Sequence, residues 1–368
     1  MPDQRSVAKN PKRGRLHVSG PPFAPLVNST GAGTKGAMMR ILTGLVLGLF
    51  VLWGGWWFLA SRTEHRAAVA FFADRRAEGL TADYSSLGVA GFPNRLDLTV
   101  NDVVLGDPAR GITWRAPFAQ LLALSYNPYH FIAALPHRQE VATPVGTFSI
   151  TSTRMEASLR MVPGLAFALD EFVGVVEQPG LTASAGWQVT ADSMRVATRR
   201  VPDRAVAQEI GAEADHITPN PALKAMLDPA GALPATLDQI YLDAEAGFDA
   251  AIDRHAATRP PHLTVLTLKD AHVGWGPMLL SATGKITVDA DGAPDGRIAI
   301  RAKNWKGMVP VAVGLGLLRP ELAQTVENML AELAKGSPDP TVVELPLEFQ
   351  KGWMSLGPLP LGPAPRLR

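Results

Sequence analysis

A continuous apolar segment near the amino terminus constrains this chain more than any other feature. Residues 41–60 carry no charged side chain, and roughly 20 apolar residues are enough for a helix to cross about 30 Å of hydrocarbon. A buried helix and a cleaved signal peptide are the alternatives. A cleavage site needs small residues, whereas this segment ends with Trp56, Trp57 and Phe58. We therefore expect an uncleaved transmembrane signal anchor at residues 40–60.

Aromatic and glycine residues within the segment add two further expectations. Trp53, Trp56 and Trp57 stand at its carboxyl end, where an interfacial belt of aromatic side chains is typical of membrane proteins. Gly44 and Gly48 form a GxxxG spacing, which would let two such helices pack closely as a homodimer.

The residues before the segment predict its orientation. The tail at residues 1–39 has no apolar periodicity, is rich in glycine and proline, and is expected to be disordered. Basic residues exceed acidic ones there, and cytoplasmic flanks carry such an excess. The tail's charged residues are Asp3, Arg5, Lys9, Lys12, Arg13, Arg15 and Lys35. We expect a bacterial inner-membrane protein with a cytoplasmic amino terminus and a periplasmic carboxyl-terminal domain; Met38 and Met39 offer an alternative start.

The composition excludes several classes of site. The chain of 368 residues contains no cysteine, which excludes disulfides, thiolate metal sites and cysteine nucleophiles. Its formal net charge is +1, so no overall electrostatic attraction favours nucleic acid as a partner. The 34 glycines and 31 prolines favour frequent turns and short strands over long helices.

Beyond the segment, the pattern predicts an α+β, β-rich fold. Residues 61–80 are expected to form a juxtamembrane helix, and residues 81–368 a large, curved antiparallel sheet with a few packing helices. A strand, polar turn, strand unit followed by glycine and proline recurs three times, which suggests repeated hairpins. The predicted turns are Asn101-Asp102, Lys269-Asp270 and Gln350-Lys351.

The periodicity of apolar residues assigns other segments to strands or helices. Ile240–Asp249 alternates apolar and polar residues and is predicted to be a strand, and Leu165–Leu169 is also predicted as a strand. Helices are predicted at Asp203–Asp215, Pro221–Leu227 and Pro320–Ala334, the last with an apolar stripe and a proline in its first turn.

No pattern of reactive residues emerges. The histidines lack the HExxH spacing of a zinc site, and neither a GxSxG elbow nor a complete P-loop is present. Gly31–Gly36 matches GxGxxG, but no strand precedes it, so the match lacks the context of a dinucleotide site. We therefore expect no catalytic residues, no metal and no cofactor, and thus a protein that is not an enzyme.

Apolar sheet faces are the remaining candidate for function. If the sheet leaves a groove unfilled, it could bind a lipid or another apolar envelope component. The residues expected to line it are Leu96, Leu98, Val100, Ile240, Leu242, Phe248, Leu266 and Leu268. The alternatives are a structural scaffold that docks other envelope proteins and a hydrolase whose site lies in loops.

Three motifs carry a family resemblance. They are Gly91–Thr99, Leu124–Pro128 and the proline-rich end Leu356–Pro365. With these motifs the chain resembles alphaproteobacterial proteins grouped as domain of unknown function 2125, which implies a single-pass inner-membrane protein with a periplasmic β-rich domain. The anchor and repeated hairpins are more loosely similar to envelope proteins of the AsmA type, which implies a role near outer-membrane assembly or lipid movement.

Overall fold

The computed structural model describes residues 32–256 and 258–367, and most of the predicted disordered tail lies outside these ranges. Helix α1 runs from Ala32 to Ala77, so the last residues of that tail, 32–39, are helical. By internal contacts the chain divides into two units, Met1–Leu52 and Trp53–Arg368.

Within the first unit the side chains from Met38 to Leu52 are all exposed. Among the described residues, α1 is the helix long and apolar enough to cross a membrane, and none of its most apolar window is buried. A core helix of a soluble domain would bury such a stripe. The helix therefore has the length, composition and exposure of a single membrane span.

The second unit is dominated by antiparallel strands, as the sequence predicted. The strands of the described residues are β1 (Thr81–Asp83), β2 (Ser86–Ala90), β3 (Arg95–Asp107), β4 (Ile112–Leu124), β5 (Asn127–Ala134), β6 (Arg138–Thr143), β7 (Gly146–Thr151), β8 (Arg154–Met161), β9 (Leu169–Glu177), β10 (Gly180–Ala183), β11 (Gln188–Thr190), β12 (Ser193–Arg200), β13 (Ala207–Pro219), β14 (Leu237–Phe248), β15 (Leu263–Trp275), β16 (Met278–Val288), β17 (Pro294–Lys303), β18 (Val342–Gln350), β19 (Trp353–Leu356) and β20 (Leu359–Pro363). The shorter helices are α2 (Pro221–Leu227), α3 (Met308–Gly314) and α4 (Ala323–Ala334), with 3-10 turns at Trp305–Gly307 and Pro320–Leu322.

These strands form one continuous sheet. From β3 and β4 the sheet divides into two lanes, one through β5, β8, β9 and β12 and the other through β6, β7, β10 and β11. Both lanes rejoin at β13. From β13 to β20 each strand pairs with the next in sequence. The β-rich antiparallel prediction is confirmed.

Two small cores cover opposite ends of this sheet. At the first, Phe72 of α1 packs on Val100 and Val103 of β3. At the second, the buried indole of Trp305 lies with Ala334 of α4 against β18. We call residues 305–334, which include α3 and α4, the helical cap.

The predicted helix at Asp203–Asp215 is wrong, because most of it belongs to β13. Alanine and glutamate favour helix by composition. However, Gln208, Ile210, Ala212 and Ala214 alternate with charged or small residues, and their pairing with both β12 and β14 decides the structure. The Pro320–Ala334 and Pro221–Leu227 helices are confirmed.

Two of the three predicted hairpin turns are also wrong. Strand β3 continues through Asp102, which has a positive φ of 49°, and β15 continues through Lys269-Asp270 with a bulge. Polar dipeptides resemble turns in sequence, but long partner strands hold them in the ladder. The third turn does join β18 to β19, but it lies at Lys351-Gly352, one residue later than predicted. The predicted strand at Leu165–Leu169 is largely a connection, since β9 begins at Leu169.

Candidate functional site

Within the second unit, an open apolar groove of about 740 Å³ lies between the carboxyl-terminal part of α1 and the first strands. One wall consists of residues 53–68 of α1, and the other of apolar residues on β3, β4 and β5. The sheet wall contains Leu96, Leu98, Leu121, Ala123 and Phe131. Its volume lies within the usual range for small-molecule sites.

Tryptophans of α1 fix the helix wall. The indole N–H of Trp53 donates to the Pro93 carbonyl at 3.0 Å, and that of Trp57 donates to the Arg95 carbonyl at 2.6 Å. Trp56 donates to Ser125 at a longer 3.4 Å. The side chains predicted to form an interfacial belt therefore also attach the end of the charge-free segment to the sheet. As a result, the groove overlaps the last residues of that segment.

One carboxyl group stands in this apolar surrounding. Glu64 lies on α1 four residues after the charge-free segment, and its Oε2 atom is buried without a hydrogen-bond partner. Burial, with a smaller contribution from the charge of Asp97, raises the pKa of the Glu64 carboxyl to about 7. Near neutral pH a substantial fraction of this group is therefore uncharged.

The hydroxyl groups of the threonine and the serine in the groove donate to backbone carbonyls. Thr63 Oγ1 donates to the Leu59 carbonyl at 2.9 Å, and Ser125 Oγ donates to the Pro93 carbonyl at 3.2 Å. Nucleophilic catalysis needs a general base beside the hydroxyl, and neither hydroxyl is bonded to one. The rest of the groove wall is mostly apolar.

The groove opens onto a much longer apolar surface. Cross-strand partners in a sheet lie on the same face, so the pairing register can be followed from β3 to β18. One such row contains apolar side chains or glycine on each of twelve strands that are neighbours in the sheet. We call this row the apolar track. Its members are Leu98, Leu121, Ala133, Ala157, Gly174, Val196, Ala212, Leu242, Ala271, Ala282, Ile300 and Leu345.

The neighbouring row on the opposite face has the reverse character. Ten of its twelve residues carry a polar group, and we call it the polar row. Its members are Thr99, Gln120, Ala134, Glu156, Val175, Arg195, Glu213, Tyr241, His272, Ser281, Arg301 and Glu344. Ion pairs cross strands on this face, with Arg301 and Glu344 of the row 3.6 Å apart and Arg154 and Glu177, beside the row, 3.1 Å apart.

The apolar track is covered at its ends and open in its middle. Leu98 and Leu121 face α1 in the groove, and Leu345 packs beneath the helical cap. Between them, apolar side chains of the same face remain accessible, with Val196 37 % and Ile240 44 % exposed. A soluble single-layer sheet normally buries its apolar face against another layer. This face therefore has an unfilled apolar strip between two covered ends.

The eight residues predicted to line a groove do not form a single cluster. Leu96 and Leu98 line the groove, and Leu242 belongs to the track. Ile240, Leu266 and Leu268 share the face of the track, and Phe248 lies at the end of β14. Val100 is only 6 % exposed and packs beneath Phe72. It contributes to the core and does not line the groove.

Sequence reasoning missed the helix wall and the strands between β4 and β12. Leu59, Thr63 and Ala67 have the spacing of one helix face, which was an available signal. The contributions of Ala133, Ala157 and Gly174 had no comparable signal, because small residues do not reveal which face of a strand is apolar.

Comparison with known proteins identifies the family. The model of a family described as "Uncharacterized protein conserved in bacteria (DUF2125)" matches residues 56–365. The chain belongs to the DUF2125 family. The match includes the apolar track, the helical cap and all of the groove except Trp53 in this DUF2125 protein. No curated protein and no solved structure matches the chain, and the looser similarity to AsmA-type proteins stays a prediction.

Proposed function

We propose that this DUF2125 protein is a non-enzymatic, membrane-anchored periplasmic protein that binds lipid acyl chains in its groove and along the apolar track. The observation that carries the proposal is the continuity between the two surfaces. Leu98 and Leu121 line the groove and are also the first two members of the track.

The chemistry of the surfaces supports an acyl chain as the occupant. An acyl chain offers no hydrogen bonds, so hydrogen-bond donors in the wall of its site need partners within the protein. The indole groups of Trp53 and Trp56, which line the groove, already donate to backbone carbonyls. The unpartnered carboxyl of Glu64 is the exception, and its raised pKa of about 7 favours the uncharged form. Moving a chain from the bilayer into this groove exchanges one apolar environment for another, whereas exposure to water costs about 0.8 kcal/mol per methylene.

The position of the groove supports the bilayer as the source of the lipid. Its helix wall begins at Trp53, within the charge-free residues 41–60. An acyl chain could therefore leave the membrane beside the segment that crosses it. The basic tail supports a cytoplasmic amino terminus and hence a periplasmic sheet.

A photo-reactive amino acid placed at position 121 of the full-length protein in living cells tests the proposal. We expect ultraviolet light to attach a lipid there, detected by mass spectrometry of the purified adduct. Position 120 is the matched control, because Gln120 lies on the opposite face of the same strand. Equal lipid attachment at both positions would contradict groove binding, and protein adducts alone at position 121 would favour the scaffold hypothesis.

A further inference from the structure

A second apolar feature lies in the helical cap. The twelve residues from Gly307 to Leu318 contain no charged side chain, and they are flanked by Lys306 and Arg319. Both flanking side chains are exposed. Short apolar segments with cations at their borders are typical of elements that lie in a membrane interface.

The segment is attached at one end and exposed at the other. Trp305 and Val309 are buried and hold the start of α3 on the sheet. After Gly314 the chain turns back, with the Leu315 N–H donating to Val311 and the Leu317 N–H donating to Ala312, each at 2.9 Å. We call residues 315–318 the cap tip.

The cap tip presents leucines to solvent. Leu317 is 79 % exposed and Leu315 55 % exposed. Two more exposed apolar side chains are associated with it. Leu322 follows closely in sequence, and Met226 belongs to α2, which contacts α3 at Gly314. A single exposed leucine is ordinary, but several exposed apolar side chains in and beside one short segment are typical of a contact surface.

The strands beneath the helical cap are separated from those beside the groove by most of the sheet. From β4 to β17 there are nine strand-to-strand steps along the lane through β5, or about 43 Å measured along the sheet at about 4.8 Å per step. The cap packs on Val343 and Ala302, whose row of partners includes Ile240. That row lies beside the track on the same face of the sheet. On β3 it reaches the part of the strand that Phe72 covers.

We propose that the cap tip inserts Leu315 and Leu317 into an anionic lipid surface other than the bilayer that holds α1. Lys306 and Arg319 would lie at the level of the lipid headgroups, where each cation contributes about 1 kcal/mol near an anionic membrane. The proposal is independent of acyl-chain binding. A protein can contact two membranes without carrying lipid between them.

A vesicle-bridging experiment tests this proposal. Full-length protein in nanodiscs is mixed with fluorescent vesicles of phosphatidylglycerol and phosphatidylcholine, and nanodiscs that sediment with the vesicles are counted. We expect bridging by the wild-type protein and a loss of about tenfold or more in the L315E/L317E variant. Fewer nanodiscs should sediment with vesicles of phosphatidylcholine alone than with the anionic vesicles. The K306Q/R319Q variant should likewise bridge fewer anionic vesicles than the wild type.

The control variant is L165E. Leu165 is 84 % exposed in the connection between β8 and β9, so the control adds one carboxylate, against two in L315E/L317E, to a loop that is at least as accessible. Its bridging should match that of the wild type. Unchanged bridging by L315E/L317E, an equal loss in L165E, or no bridging by the wild type would each overturn the proposal. Lipid attachment at position 121 should be the same in both variants, which separates this test from that of acyl-chain binding.

Discussion

Replacing Val196 with glutamate should interrupt the apolar track without unfolding the protein. Val196 lies on β12, five strand-to-strand steps from Leu98, or about 24 Å along the track at about 4.8 Å per step. The hydrocarbon of one leaflet is about 15 Å thick. A lipid that starts in the groove must therefore move along the sheet to pass this position.

The structure allows the cost of the substitution to be estimated. Val196 is 37 % exposed, so its loss removes only part of the roughly 1.5–3 kcal/mol that a fully buried valine contributes. We expect a decrease of about 1 kcal/mol in the free energy of unfolding, which a domain stable by about 5–15 kcal/mol tolerates. Contact between an acyl chain and the carboxylate would desolvate the charge at several kcal/mol, enough to reduce occupancy about 100-fold.

The assay measures lipid attachment to a photo-reactive amino acid placed at either of two positions. In Val196→Glu, lipid attachment at position 121 in the groove should persist, because the groove precedes the new charge. Attachment at position 242, which lies two strands beyond Val196, should fall to background. The matched control is Ala197→Glu, on the opposite face of the same strand, and it should retain attachment at both positions. Equal attachment at position 242 in the two variants would refute the track as a path for lipid.

Three further predictions concern the groove and the cap. Glu64→Gln should raise the melting temperature at pH 8 but change it little near pH 4. Burial and the nearby charge of Asp97 raise the pKa of the Glu64 carboxyl in the folded protein to about 7. The folded wild type therefore loses stability as the pH rises from about 4.5 to about 7. Equal effects at both pH values would contradict this assignment. Trp57→Phe removes the indole donor to Arg95 and should lower the free energy of unfolding by about 1 kcal/mol in urea titration; no change would show that this bond does not stabilise the attachment of α1. Trp305→Ala should cost about 3–5 kcal/mol and expose the cap to proteolysis, since this indole is almost fully buried; resistance equal to that of the wild type would contradict its role as the anchor of the cap.

The sequence predicted the membrane-type helix and the antiparallel sheet because both depend on strong local patterns. Residues 41–60 lack charge altogether, and Ile240–Asp249 alternates with period two against its helical composition. In β13 the same alternation was present but weaker, since alanine and glycine occupy several positions. Composition therefore led to the wrong prediction of a helix in place of this strand.

The site depends on contacts that no local pattern encodes. The groove exists because Trp53 and Trp57 donate to backbone carbonyls about forty residues away. The track exists because eleven pairing registers keep small or apolar residues on one face. Leu96 and Leu98 could be found from strand alternation. The burial of Val100 could not, because it depends on Phe72 of α1 packing across that strand.

Native mass spectrometry of the full-length protein, released from nanodiscs into mild detergent, tests the central claim most directly. The account predicts that a lipid remains bound to the wild type and to Gln120→Asp, and is lost from Leu121→Asp. The two substitutions place the same charge on opposite faces of β4, and melting curves would verify that both variants are folded. Equal lipid occupancy in Leu121→Asp and Gln120→Asp, or no lipid on the wild-type protein, would contradict acyl-chain binding in the groove.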